Sequence, residues 1–145
     1  MNQLINFKTF ENISIGDKAS FEVTISEETH LLFSKVSGDN SPIHTLSSFA
    51  SNTSFQKKIG YGFLLTSYIS QLYGKYLPGG SSICIKQECN FIKPYFIGDK
   101  LVILGEVVGK YDSTHFLEIK STIYRLNNIK IFEGLGIVQV LFDKN

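Results

Sequence analysis

The sequence has no tryptophan, only two cysteines and three prolines, and no marked excess of either charge. It lacks an uninterrupted apolar stretch of the roughly 20 residues that a membrane helix needs. Its first residues carry neither the basic leader nor the apolar run of a signal peptide. A formal net charge of +1 argues against a nucleic-acid-binding surface. We therefore expect a protein that contacts neither nucleic acid nor membrane.

The two cysteines, Cys84 and Cys89, lie in a segment with the composition of a strand. Their odd spacing would point the two side chains to opposite faces, which does not suit a local disulfide. No histidine lies nearby, so the pair does not indicate a zinc site either. We expect thiols in the core, no metal or other cofactor, and a reducing, cytoplasmic compartment.

The bulk composition is that of a folded globular chain, with 43% hydrophobic and 13% aromatic residues. A length of 145 residues suits one hydrophobic core, and no linker or repeat divides the sequence. We expect a single domain over residues 1–145.

The first half predicts a strand followed by a short helix. Residues 19–25 alternate apolar and polar side chains, as in a half-buried strand. Ser26 is suited to cap a helix that Gly38 then ends. The expected buried face of this helix consists of Leu31, Leu32 and Val36.

A second helix start is indicated at Ser41, a capping hydroxyl, and Pro42, a good first helical residue. Residues 46–55 are mixed, as in a loop with one or two helical turns. From Gly62 to Tyr76 apolar side chains recur at helical spacing, and Pro78-Gly79-Gly80 ends this long helix. Its apolar positions are Leu64, Leu65, Tyr68, Ile69, Leu72 and Tyr76.

Beyond residue 80 the hydrophobic period changes to alternation, which predicts strands joined by short turns. The expected strands contain Ile83 and Ile85, Leu101 to Val107, Phe116 to Tyr124, and Ile131 to Phe142. Asn127-Asn128 is the clearest tight turn. This order of elements indicates an α+β fold, in which an antiparallel sheet curls around the long helix.

Asp39 and His44 are the polar pair whose geometry the local sequence restricts most. Asp39 follows Gly38 at the expected helix end, and His44 stands two positions after Pro42. A tight turn of this length holds a carboxylate and an imidazole close enough to share one water, which is the minimal equipment for moving protons at adjacent carbons. A turn-capping aspartate and a histidine in a surface notch explain the same spacing.

Gly60-Tyr61-Gly62 directly precedes the long helix. Glycines there let the backbone approach a ligand, and free N–H groups at a helix start suit an oxyanion. An ordinary pair of loop glycines is the alternative, and the third glycine of a dinucleotide motif is absent. The helix hydroxyls of Thr66, Ser67 and Ser70 normally bond a preceding carbonyl, although one facing Asp39 would orient it.

The remaining polar residues carry weaker signals. We expect His30 and His115 to be ordinary surface residues, and Lys57 and Lys58 to be solvated. No Gly-x-Ser-x-Gly sequence is present, which argues against a serine hydrolase.

Taken in order along the chain, these segments resemble the MaoC-like (R)-specific enoyl-CoA hydratases. The matching segments are Phe33 and Val36 through His44, Ala50, Thr53 to Phe55, Ile59 to Gly62, Phe91-Ile-Lys-Pro94 and Gly98-Asp99. Together they cover roughly residues 16–105.

This resemblance implies a hot-dog fold, an antiparallel sheet wrapped about a long central helix, usually paired into a homodimer. It implies reversible hydration of trans-2-enoyl thioesters, carried by CoA or acyl carrier protein, to (R)-3-hydroxyacyl thioesters. By this resemblance Asp39 and His44 hold the catalytic water. The Gly62 amide would bond the thioester carbonyl, and Ser70 would orient Asp39.

The chain departs from the family pattern at two positions. The family commonly has asparagine where Ser41 stands, and often has His-Gly in place of Tyr61-Gly62. Serine can still cap the turn, whereas Tyr61 would change the pocket or the acyl preference. Two alternatives stay open: a hot-dog thioesterase, with a carboxylate and water acting at the carbonyl carbon, and a non-catalytic acyl-thioester-binding module.

Overall fold

The computed structural model describes residues 8–141, and its main element is a five-stranded antiparallel sheet. The strands are β1 (Lys18–Thr24), β2 (Ser82–Phe91), β3 (Lys100–Tyr111), β4 (Phe116–Arg125) and β5 (Ile129–Val140). They lie in the order β1-β3-β4-β5-β2. The expected end of the last strand at Phe142 lies outside the described residues.

Alternating burial along β3, β4 and β5 produces one apolar face. On this face Ile103 pairs with Ile123, which in turn pairs with Phe132, and all three side chains are fully buried. The turn between β4 and β5 contains Asn127 and Asn128 with φ of 60° and 55°. Such left-handed backbone is what a tight hairpin turn requires, and asparagine tolerates it. The predicted turn is therefore confirmed.

The helices are α1 (Glu27–Ser37), α2 (Pro42–Thr45), α3 (Ser47–Ala50) and α4 (Gly62–Gln71). A π-helical turn, Leu72–Tyr76, continues α4 to the predicted end. Leu65, Ile69 and Leu72 are buried in the same core cluster as the apolar strand residues. A Cβ at Gly105 of β3 would lie 2.8 Å from Leu72, so the sheet and the helix are in close contact there. Within residues 8–141 no helix combines the length and apolarity needed to cross a bilayer.

Helix α1 has the expected ends but not the expected buried face. The Ser26 hydroxyl accepts a hydrogen bond from the Thr29 amide, and Gly38 ends the helix with φ of 73°. Leu31, Leu32 and Val36 are 50%, 53% and 86% exposed, so their predicted burial is wrong. The inward face is instead formed by His30, Phe33 and Ser34, which the i, i+3, i+4 spacing places side by side.

The two cysteines are free, but they do not point to opposite faces of β2. The pairing of β2 with β5 shifts between Cys84 and Lys86, where Ile85 has no partner. One extra residue in β2 reverses the alternation of side chains along the strand. Cys84 therefore lines the same pocket as Gln87, and Gln87 shares a face with Cys89, two residues further on. Cys84 is also exposed, so its predicted burial in the core is wrong, whereas Cys89 packs against the core.

Candidate active site

Asp39 follows the left-handed Gly38, and Ser41 holds its carboxylate. The Ser41 N–H and hydroxyl both donate to Oδ1, at 2.9 and 2.5 Å. The hydroxyl bond, then the amide bond, and more weakly the nearby His44 hold the pKa of Asp39 below its usual range. Asp39 is therefore ionised at neutral pH and well suited to accept a hydrogen bond from water.

This use of Ser41 differs from the expected one. Ser41 precedes α2 and Pro42 occupies the first helical position as predicted, but the Ser41 side chain makes no capping hydrogen bond. The predicted capping hydroxyl is therefore wrong: the Ser41 side chain is turned toward Asp39, to which its hydroxyl donates.

His44 lies on α2, and its imidazole orientation is set by Ile59. The Nδ1 atom is 2.9 Å from the Ile59 carbonyl oxygen. Since a carbonyl can only accept, Nδ1 carries the proton and Nε2 keeps its lone pair. In this tautomer Nε2 is the atom able to take a proton from a bound molecule.

Tyr61 is buried among the residues of the site. Its ring centroid is 4.1 Å from that of His44 and 4.9 Å from that of Phe33. Its hydroxyl donates to the Asp39 carbonyl oxygen at 2.7 Å. Tyr61 thus offers its ring to the cleft wall, while its hydroxyl is bonded to the main chain of Asp39.

The two glycines that flank Tyr61 have different roles. A Cβ on Gly60 would lie 2.1 Å from the Tyr95 ring, so Gly60 is required by packing. Gly62 is the first residue of α4, and its N–H has no acceptor within the helix. A Cβ there would lie 3.2 Å from the Phe91 ring. Only Gly62 of the pair borders the cleft that contains Asp39.

The cleft has a volume of about 420 Å³ and joins most of the expected site residues. It is lined by Phe33, Ser37, Asp39, His44, Tyr61, Gly62, Phe63 and Phe91. A second pocket of about 250 Å³ shares His44, Gly62 and Phe91 with it, so these three residues border both spaces. Mostly apolar walls with a few convergent polar groups are typical of a small-molecule site.

Ser70 is placed elsewhere. It lines a third pocket, of about 270 Å³, together with Tyr73 and Gln87. Within the described residues the Asp39 carboxylate receives its side-chain hydrogen bond from Ser41 rather than from Ser70. The expectation that Ser70 orients Asp39 is not met within this chain.

His30 belongs to the site, and its predicted surface position is wrong. It is 1% exposed, its Nε2 is 2.9 Å from the His44 carbonyl oxygen, and its ring centroid is 4.7 Å from that of Tyr61. Its burial depends on the His44 carbonyl of another helix, so no signal in the local sequence identifies it. His115 is half-buried and stacks on Phe10 at 4.3 Å, away from the cleft.

The two lysines make local contacts. Lys58 pairs with Glu27 at 3.3 Å, and the Lys57 ammonium lies over the Phe96 ring. In the stretch from residue 8 to residue 141, no three histidine, cysteine or acidic side chains are grouped to hold a metal ion.

Comparison with known proteins supports the resemblance to the MaoC-like family. The MaoC-like domain model matches residues 10–126. The (R)-specific enoyl-CoA hydratase of Rhodospirillum rubrum is 33% identical over 131 residues, covering 90% of each chain. The 3-hydroxybutyryl-CoA dehydratase of Methylorubrum extorquens is 34% identical over 98 residues, covering 68% of this chain and 62% of that protein.

Solved structures extend the likeness to the fold. The (R)-hydratase of Aeromonas caviae involved in PHA biosynthesis superposes with a TM-score of 0.87 at 27% identity, covering 90% of this chain and 99% of that one. The antiparallel sheet around a central helix is thus the expected hot-dog fold. The family model, the relatives and the fold agree, and the chain belongs to the MaoC-like family.

Proposed function

We propose that this protein catalyses the reversible hydration of trans-2-enoyl-CoA thioesters to (R)-3-hydroxyacyl-CoA thioesters. The observation that carries the proposal is one cleft lined by an ionised carboxylate, an imidazole held through its Nδ1 and a helix N-terminus. The activity and the R configuration are those named for relatives that cover most of this chain.

Two side chains act on the water: the His44 imidazole as the base and the Asp39 carboxylate as a fixed negative charge. In the hydration direction, Asp39 and His44 hold the water, and His44 Nε2 takes a proton as the oxygen bonds to C3. The ionised Asp39 stabilises the imidazolium that forms. This imidazolium then returns the proton to C2, so one water adds across the double bond.

Negative charge develops on the thioester oxygen when the water attacks C3. The N–H of Gly62 lies at the positive end of α4 and has no acceptor within the helix. We propose that it donates to that oxygen, and losing one such donor typically costs about 10²–10³-fold in rate.

The test is crotonyl-CoA hydration, followed by the loss of enoyl absorbance. We expect Asp39→Asn and His44→Ala each to abolish measurable turnover while the circular dichroism spectrum stays unchanged. His115→Asn is the matched control, because His115 lies outside the cleft. A wild-type protein inert on CoA and carrier-protein substrates of several lengths would contradict the proposal.

The same assay separates the alternatives. Release of free thiol with an unaltered acyl chain would indicate a thioesterase. Binding without turnover, surviving both substitutions, would indicate an acyl-thioester-binding module. Comparing crotonyl-CoA with the same acyl group on carrier protein decides which thioester is preferred.

We also propose that the protein is a cytoplasmic homodimer. Strand β2 is an edge strand, and it exposes 45% of Ile83 and 50% of Ile85. Unpaired apolar edges are normally covered by another chain or element. The two free cysteines suit a reducing compartment. Light scattering should give twice the mass of one 145-residue chain, and cell fractionation tests the location.

A further inference from the structure

Two side chains on one face of helix α1 hold the main chain of the two proposed catalytic residues. His30 and Ser34 lie one helical turn apart, so their side chains project to the same side. The His30 Nε2 contacts the His44 carbonyl oxygen, and the Ser34 hydroxyl donates to the Asp39 carbonyl oxygen, each at 2.9 Å. The spacing along α1 thus matches the spacing between the two acceptors.

The contact of His30 has a defined polarity. Because the His44 carbonyl can only accept, Nε2 of His30 carries the proton. The other ring nitrogen, Nδ1, is buried and has no hydrogen-bond partner among the described residues. A histidine that is 1% exposed and satisfies one nitrogen only is an unfavourable way to fill a core. Its donor to His44 is the interaction that accounts for its place there.

The Asp39 carbonyl is held twice. It accepts from the Ser34 hydroxyl and from the Tyr61 hydroxyl, the latter at 2.7 Å. The Tyr61 ring also packs against both histidine rings, with centroid distances of 4.7 Å to His30 and 4.1 Å to His44. Three donors therefore converge on two carbonyl groups around one aromatic ring.

We propose that His30 and Ser34 are positioning residues, which set the distance between Asp39 and His44 by hydrogen-bonding their main-chain carbonyls. The inference rests on the proposed function, since it assigns these residues a role through the catalytic pair. Neither side chain lines the cleft, so neither is expected to contact the substrate.

Loss of positioning should lower kcat and leave KM nearly unchanged, because the binding walls are intact. We expect His30→Leu to lower kcat about 10- to 100-fold, as small misplacements of catalytic groups do. His30→Gln keeps an N–H donor and should recover much of the rate. Both variants are compared with His115→Asn, which changes a histidine that stacks on Phe10, away from Asp39 and His44.

The second arm uses the doubly held carbonyl. Ser34→Ala alone should have a small effect, since the Tyr61 hydroxyl still donates to Asp39. Ser34→Ala combined with Tyr61→Phe should lower kcat by a larger factor than the product of the two single effects. In the same Tyr61→Phe background, Ser34→Thr keeps a hydroxyl at this position and should restore kcat. Ser67→Ala is the matched control, because among residues 8–141 that hydroxyl bonds the carbonyl of Leu64 in its own helix.

The outcomes separate this inference from the proposed function. If Asp39→Asn is inactive but His30→Leu and the Ser34/Tyr61 double variant keep wild-type kcat, the positioning role is wrong and the site stands. If Asp39→Asn stays active, the site itself is wrong. If His30→Leu does not fold, the Ser34/Tyr61 variants provide the test. Effects on kcat that simply multiply in the double variant, or a change confined to KM, would overturn the inference.

Discussion

Replacing Gly60 by alanine tests how the loop before α4 is held. The backbone φ of Gly60 is not positive, so alanine is compatible with the backbone. The added Cβ, however, would lie 2.1, 2.2 and 2.6 Å from three atoms of the Tyr95 ring. Tyr95 is 1% exposed, and its hydroxyl donates to the Tyr61 carbonyl oxygen at 2.7 Å. The ring therefore cannot move without losing a buried hydrogen bond.

The expected cost follows from these contacts. Overpacking a core typically costs about 1–3 kcal/mol, and the lost hydrogen bond adds about 1 kcal/mol. The smaller chain entropy of unfolded alanine returns about 0.4–1 kcal/mol. We expect Gly60→Ala to lower the free energy of unfolding by about 1–3.5 kcal/mol, or Tm by about 2–14 °C for a chain of this size.

Urea denaturation measures the cost, and Gly74→Ala is the control. Gly74 is exposed, its φ is not positive, and a Cβ there would meet nothing within 4 Å. In a Tyr95→Leu background the ring is gone, so Gly60→Ala should cost less than about 1 kcal/mol. An equal effect of the two glycine substitutions, or an unchanged cost in that background, would refute the clash.

Three further predictions concern the cleft. Ser41→Ala removes the hydroxyl bond that most lowers the pKa of Asp39, so that pKa rises toward 3.8; the carboxyl carbon shift of Asp39, followed by NMR against pH, should show a higher midpoint in the variant, and an unmoved midpoint would contradict this role of Ser41. Gly62→Ala places a Cβ 3.2 Å from the Phe91 ring. We expect kcat/KM to fall roughly tenfold with Tm nearly unchanged. Full activity of this variant would contradict the proposed role of Gly62 in binding the thioester. Phe91 borders both pockets, of about 420 and 250 Å³, so Phe91→Ala should enlarge the space for the acyl chain and raise the kcat/KM ratio of octenoyl-CoA to crotonyl-CoA about tenfold. An unchanged ratio would show that Phe91 does not limit chain length.

The sheet and the central helix could be predicted from the sequence because each follows from its own hydrophobic period. The alternation in β3 to β5 and the helical spacing from Gly62 onward need no information about neighbours. Asp39 and His44 could be identified because a short turn fixes their separation. The Asn127-Asn128 turn was predictable for a similar reason, since it depends on local backbone conformation alone.

What the sequence did not predict depends on contacts between distant segments. The sequence predicts that Leu31, Leu32 and Val36 form the inward face of α1. That face instead contains His30, which finds an acceptor in α2. The Ser41 hydroxyl can accept from a helix N–H as a cap or donate to the Asp39 carboxylate, and only the folded turn selects Asp39. The bulge at Ile85 depends on pairing with β5, so the orientation of Cys84 could not be read from spacing.

The hydrogen-bond donors on α1 also affect the order in which activity and structure are lost on heating. Strands β3, β4 and β5 are paired along most of their length, whereas α1 is one short helix with three strongly exposed apolar residues. Elements with few buried contacts open at lower free energy than the core of a sheet. If α1 detaches first, the Asp39 and His44 carbonyls lose His30 and Ser34 while the sheet is still intact. We therefore expect thermal inactivation to precede the loss of β-sheet circular dichroism, and amides of α1 to exchange hydrogen faster than those of β4.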